Sequence, residues 1–350
     1  SMPKVVTGRA SVSSSSNTVR FENIKLEADG APITGQIFWQ STASSGQARG
    51  HSGGQWNFRL TAEHLNLDNY LPPAPKNQKA SIPSTSLWNL KGFEGLSLDV
   101  QLNLRKAKYR QLTFSNTKIT GTLMRDRFSA HAEVSNFYDG KATLLFQGTI
   151  VPSASQVNLR KGLLHMEKIS LGKALYDYTK EQFYAGTGEI VVDIAGNMTS
   201  DSDFPRQLSG IWSIHLTDGL YPALLGTEKS NLRNTFSLAS ASGPVTRGVI
   251  SSKNFKLSGP LVDMSGGGTL NLATYEMDIG VSVTIAKVPT VPVRFTGTTD
   301  KPKMEIRGAS VVVETVQAAG VGVFSLVKNV LELPAHAIRG INSLVNKGKK

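Results

Sequence analysis

The chain has 350 residues, 39% of them hydrophobic, with 33 glycines, 15 prolines and no cysteine. That length suits two ordinary domains or one extended repetitive architecture, and the missing cysteines exclude disulfide frameworks, thiolate metal sites and cysteine nucleophiles. The formal charge of +12 favours polyanions or an anionic membrane surface, but it is spread along the chain, so nucleic-acid binding is not expected.

In chain order, the opening Ser1-Met2 resembles a protease-cleavage scar, which leaves room for a native membrane anchor or signal ahead of it. No window of ~18 uninterrupted apolar residues follows, so no helical bilayer span is expected. Alternating segments then recur. Trp56, Phe58, Leu60 and Ala62 alternate with Gln55, Asn57, Arg59 and Thr61; Leu96, Leu98, Val100, Leu102 and Leu104 alternate with Ser97, Asp99, Gln101 and Asn103. Phe128 to Val134, Ala142 to Phe146, Ile190 to Ile194, Trp212 to Leu216 and Glu276 to Ile285 repeat the pattern. Each reads as a strand with one apolar face. ADG at 28–30, YDG at 138–140 and TDG at 217–219 read as hairpin turns, which predicts an antiparallel meander.

Proline interrupts this pattern twice, at 70–86 and at 151–156, and proline has no place inside a central strand. The first predicts a long loop and the second a domain seam. The resulting division is an N-terminal β-rich region at 1–150, a second β domain at 151–310 and a helical tail at 311–350. Ser170 can cap LGKALYDYTKEQF, a short amphipathic helix with Leu171, Ala174, Leu175 and Tyr178 on one face. In the tail, Val312, Val316, Ala319, Val323, Val327 and Val330 recur at helical spacing up to Pro334, with Phe324 beside them and Lys347, Lys349 and Lys350 beyond. That segment is expected to plug the end of the sheet or to dock on a membrane surface.

No motif for chemistry stands out. The histidines at 51, 64, 131, 165, 215 and 336 are scattered without ligand spacing, and Asp201 and Asp203 lie in a Ser/Asp-rich turn sequence. Gly186-Thr187-Gly188 precedes a strand, where a dinucleotide fingerprint must follow one. Glu189, Asp193, Glu276 and Asp278 alternate on outward faces as solubilising charge. Neither catalysis, nor a metal, nor a cofactor is expected.

The apolar faces have two readings. They are the sealed core of a β-sandwich, or they line a curved sheet open to lipid chains, where each Å² of apolar surface leaving water contributes ~25 cal/mol. Alternation alone fits the plain sandwich better.

The order of elements in the second half bears on this choice. The helix LGKALYDYTKEQF is followed by GTGEIVVDIAGNMTSDSDFPRQLSGIWSIHLTDGLYPALL, then NFKLSGPLVDMSGGGTLNLATYEMDIGVSVTI, then VPVRFTGTTDKPKMEI. Over about residues 160–310 this series resembles the C-terminal region of the AsmA family. The resemblance implies a mainly β, non-catalytic envelope protein: a long antiparallel, strongly curved, folded-over sheet forming an apolar groove, with a short internal helix and a C-terminal amphipathic helix. It implies a periplasmic location, an inner-membrane anchor at the N-terminus, and binding or conduction of phospholipid or other lipid acyl chains in support of outer-membrane homeostasis. Ile190, Val192, Ile194, Trp212, Ile214, Leu216, Met277, Ile279, Val281 and Val283 would line the groove. Val316, Val323, Phe324 and Val327 would form the helix at its end or on the membrane, and Gly266 to Gly268 would let the sheet bend. The other reading is a structural or adaptor protein with a closed core that binds envelope assembly proteins.

Overall fold

The structure is a computed structural model and describes residues 7–28, 30–41, 54–69, 95–109, 111–154, 156–179, 185–198, 204–220, 235–285, 290–299 and 301–306. The predicted tail helix, with Val316, Val323, Phe324 and Val327, lies outside the described residues, as do the loop at 70–86 and Asp201 and Asp203.

The alternating segments fold into 17 strands: β1 (Thr7–Ser14), β2 (Thr18–Ala28), β3 (Ala31–Ser41), β4 (Gly54–Asn66), β5 (Ser97–Tyr109), β6 (Leu112–Met124), β7 (Arg127–Phe137), β8 (Gly140–Val151) and β9 (Gln156–Ser170) come first. The helix α1 (Leu171–Thr179) follows, then β10 (Ala185–Met198), β11 (Leu208–Leu220), β12 (Thr235–Thr246), β13 (Val249–Ser258), β14 (Val262–Asn271), β15 (Glu276–Ile285), β16 (Val291–Thr298) and β17 (Lys301–Ile306). Each strand pairs with the next in sequence, giving one long sheet that is not closed. The ladder is unbroken across the second proline site, since Val151 pairs with Gln156 around the turn Pro152–Ala154.

The expected meander is broken once. β4 and β5 pair in parallel, Gln55 with Ser97 through Asn66 with Lys108. A parallel pair needs a crossover rather than a tight turn, and the chain between Asn66 and Ser97 is long enough to supply one. A second difference concerns TDG. Its residues lie inside β11, where Gly219 pairs with Phe236 and Asp218 adopts φ 52°. An aspartate tolerates that left-handed conformation, so the kink is absorbed within a strand instead of ending it.

A kink of this kind recurs across neighbouring strands. Alternation slips by one residue at Arg105-Lys106 on β5, Ser115-Asn116 on β6, Ser135-Asn136 on β7 and Glu167-Lys168 on β9, and the apolar residues Ala107, Phe114, Phe137 and Ile169 return to the buried side. Asn116 (φ 52°) and Lys168 (φ 53°) carry the left-handed backbone, as does Asn23 (φ 52°) in β2. The slips are aligned, because Lys106 pairs with Ser115 and Ser115 with Asn136. Bulges locally bend and twist the strands that carry them.

One glycine has a specific structural task. Gly243 on β12 registers against Trp212 on β11, and the Trp212 indole N–H reaches past it to donate to the Ser251 carbonyl on β13 at 3.2 Å. A Cβ at Gly243 would stand 1.9 Å from that same oxygen, whereas one at Gly280 meets nothing within 4 Å. Gly243→Ala is therefore expected to lower the thermal midpoint, with a loss of about 2 kcal/mol or more, while Gly280→Ala stays within about 0.5 kcal/mol of the parent; paired thermal melts check this.

Candidate functional site: the apolar face

Registered residues on neighbouring strands point to the same side of a sheet, so the pairing scheme converts the alternating segments into rows that run across strands. One row runs Val12, Phe21, Ile37, Phe58, Val100, Gly121, Ala130, Phe146, Gly162 and Ile194 from β1 to β10. A second runs Leu60, Leu102, Ile119, Ala132, Leu144, Leu164, Val192 and Trp212 from β4 to β11. A third begins Leu26, Ile33, Ala62 and Leu104 and ends Met166, Ile190 and Ile214. One face is therefore predominantly apolar across the first eleven strands, with Thr117 on β6 a buried polar residue in the third row, between Leu104 and Val134.

Burial divides this face in two. Ile190, Val192, Ile194, Trp212, Ile214, Leu216, Met277, Ile279, Val281 and Val283 are all between 1% and 6% exposed and belong to one contiguous cluster with Phe236 and Phe295. In the first two rows the side chains on β2 to β9, among them Phe21, Ile37, Phe58, Leu60, Leu102, Phe146 and Leu164, are only half-buried. At the β1 edge Val12 is 64% exposed. The sequence-predicted lining residues thus share one face and one cluster, and the solvent-accessible part of that face belongs to other residues. Alternation marks those residues as strand, but only the register reveals that they continue the same rows.

Beyond the line of slips, α1 covers the ends of β6 to β10. Its own Leu171 and Ala174 are buried, and Phe114 stacks on Phe137 with ring centroids 5.1 Å apart. Tyr138, in the turn between β7 and β8, ties this end together: its hydroxyl donates to Asp177 Oδ2 at 2.8 Å and accepts from the Thr113 N–H at 3.2 Å. Burial, reinforced by the Asp177 carboxylate, holds the Tyr138 proton on well above the ordinary phenol range. Lys173 on α1 pairs with Asp139 at 2.6 Å.

The opposite face is polar. Arg294 grips Asp278 through two hydrogen bonds of 2.8 and 2.7 Å, which hold that carboxyl below its usual range. Arg59 pairs with Asp99 at 2.7 Å across the parallel β4–β5 seam, and His165 sits 2.9 Å from Glu189 and 3.4 Å from Glu167. Among the described residues, no group of three or more His, Asp or Glu side chains is arranged to hold a metal ion, and no helix is long and apolar enough to cross a membrane.

At the N-terminal edge of the sheet lies a concavity of about 530 Å³ lined by Gly8, Arg9, Lys25, Leu26, Glu27, Gly30 and Pro32. Arg9 and Lys25 are registered directly opposite each other there, and neither makes an ion pair with the described residues. Leu26 belongs both to this concavity and to the third apolar row.

No family model matches the chain, and neither the curated proteins nor the solved structures include a match to it.

Removing the Tyr138 hydroxyl leaves the part-buried Asp177 carboxylate and the Thr113 N–H without this partner. Tyr138→Phe is expected to destabilise the fold by about 1–3 kcal/mol, read as a shift in denaturant midpoint at unchanged slope.

Proposed function

We propose that the chain is an AsmA-like envelope protein, without catalytic activity, whose apolar sheet face takes up lipid acyl chains. In this reading the protein works in the periplasm, is tethered to the inner membrane, and supports outer-membrane homeostasis by holding or passing lipid between the two membranes. The observation that carries it is the first two register-aligned apolar rows, which cross many strands and whose side chains stay half-buried over β2 to β9, beside a third row that is closed at Ala62, Leu104, Val134 and Ala142. A soluble protein rarely leaves so long an apolar stripe accessible unless something apolar is to lie on it. From β2 to β9 there are seven strand spacings of ~4.8 Å, or ~34 Å in all, comparable to the ~30 Å hydrocarbon thickness of a bilayer.

The aligned slips support a groove. Bulges locally bend and twist the strands that carry them, and in this reading the line of them curls one side of the sheet into a groove with α1 along that margin. Acyl chains lying in the groove are held by the transfer of apolar surface out of water, ~25 cal/mol per Å². No chemical step is needed, consistent with the absence of a catalytic motif in the sequence.

The competing reading, a structural or adaptor protein that binds envelope assembly partners, is favoured by one specific feature. The face of β10 to β16 is sealed as completely as a protein core.

Native mass spectrometry with lipid extraction of the protein purified from a Gram-negative host separates the two. Lipid is expected to copurify with the wild type and to be lost from Phe58→Glu plus Val100→Glu. Both side chains are half-buried, so circular dichroism should show that the variant stays folded. A wild type free of lipid would sink the lipid reading in favour of the adaptor.

A further inference from the structure

We infer that a lipid on this face lies along the strands, its ester end at the margin formed by Trp39 and Trp56, whose indole N–H groups donate to ester carbonyls, and its chains running down β4 and β5. The inference rests on the lipid reading above and adds to it an orientation and the groups that recognise the ester.

A further row lies beside the first, on the side away from the third: Val19, Trp39, Trp56, Leu98, Leu123 and Phe128 from β2 to β7. Trp39 and Trp56 are registered directly opposite each other there, and Trp56 shares its side of β4 with Phe58, Leu60 and Ala62. Along these strands the face is accessible at one end and shut at the other. Trp56, Phe58 and Leu60 are half-buried, as are Leu98, Val100 and Leu102 on β5, whereas Ala62 and Leu104 are 1% and 2% exposed. From Trp56 to Ala62 the strand advances ~20 Å. That length accommodates one acyl chain, which spans about half of a ~30 Å hydrocarbon core. A chain entering past the tryptophans therefore ends against the closed row, and the polar end of the lipid stays at the tryptophans.

The two indoles here are placed differently from that of Trp212. The Trp212 N–H is satisfied by the Ser251 carbonyl inside the core, whereas Trp39 and Trp56 are half-buried and neither N–H donates to a protein acceptor among the described residues. The Trp39 ring lies over Gly54, where a Cβ would collide with the indole nitrogen Nε1. The Trp56 ring stacks on Phe58 with centroids 6.3 Å apart and so leads into the apolar column. An indole joins an apolar body to a single donor, the combination found where hydrocarbon gives way to polar groups. The ester carbonyls of a diacyl lipid are acceptors at that same boundary.

The test uses the full chain, incubated with vesicles holding equal amounts of a diacyl phosphatidylcholine and its diether analogue, which has the same chains and headgroup but no ester carbonyl; the protein is then re-isolated and extracted for lipid. The wild type is expected to enrich the diacyl form by about tenfold, the scale of two net hydrogen bonds. Trp39→Phe plus Trp56→Phe keeps both aromatic bodies and removes both donors, so it should take up the two forms equally, at the level the wild type shows for the diether. Each single variant should keep about a threefold preference, the scale of one such bond. A wild type that takes up both forms equally overturns the assignment and leaves the lipid reading standing, and so does a tenfold preference that survives in the variants. Uptake of neither form by the wild type overturns both.

Discussion

Every feature of this molecule depends on register. In a strand the side chains alternate with a period of two, so a shift of one residue in a single pairing would carry that strand's apolar set to the opposite face. The rows from β1 to β11 exist because consecutive pairings keep Phe58 against Val100, Ala130 against Phe146 and Ile190 against Ile214 without a net slip. Even the parallel β4–β5 seam preserves the apolar face, with Trp56, Phe58, Leu60 and Ala62 registered against Leu98, Val100, Leu102 and Leu104.

The slips in alternation obey the same constraint. A slip on one strand is absorbed by a register shift against its neighbour, as between Phe21 and Ile24 on β2 and between Val134 and Phe137 on β7. Arg105-Lys106, Ser115-Asn116 and Ser135-Asn136 lie side by side on β5 to β7, while β8 keeps its alternation and its Lys141 pairs with Glu167 at the slip on β9, so the apolar face continues past the line to Ala107, Phe137 and Ile169. Asn116 supplies a left-handed backbone at low cost because its short polar side chain tolerates it. Lys168 in the same conformation is less common, and the neighbouring Ile169 and Leu171, 1% and 3% exposed, anchor it in the cluster beneath α1.

The two halves of the face differ in what their side chains do. On β10 to β16 the residues are mostly aliphatics, with the large aromatics Trp212, Phe236 and Phe295 among them and the Trp212 indole satisfied by the Ser251 carbonyl. A satisfied, dry tryptophan belongs to a core. On β2 to β9 the same rows carry Phe21, Phe58 and Phe146 with part of each side chain accessible, a surface suited to an apolar occupant under the proposed function. The charged network of the opposite face, Arg59 with Asp99 and Arg294 with Asp278, keeps that side wet and so fixes which face is available.

The sequence by itself determined the strand content, the short helix after Ser170, the turn at 138–140, and which side of each strand is apolar, because these follow from spacing within a few residues. The three-residue spacing of Leu104 to Ala107, Val134 to Phe137 and Met166 to Ile169 was also written there, although its meaning depends on neighbours. Tertiary structure alone decided which apolar residues line up, that β4 and β5 run parallel, that the kink at Asp218 stays inside β11, and that burial rises from Val12 to Ile194. Alternation is a property of one strand, whereas register, seam and exposure are properties of pairs of strands distant in the chain.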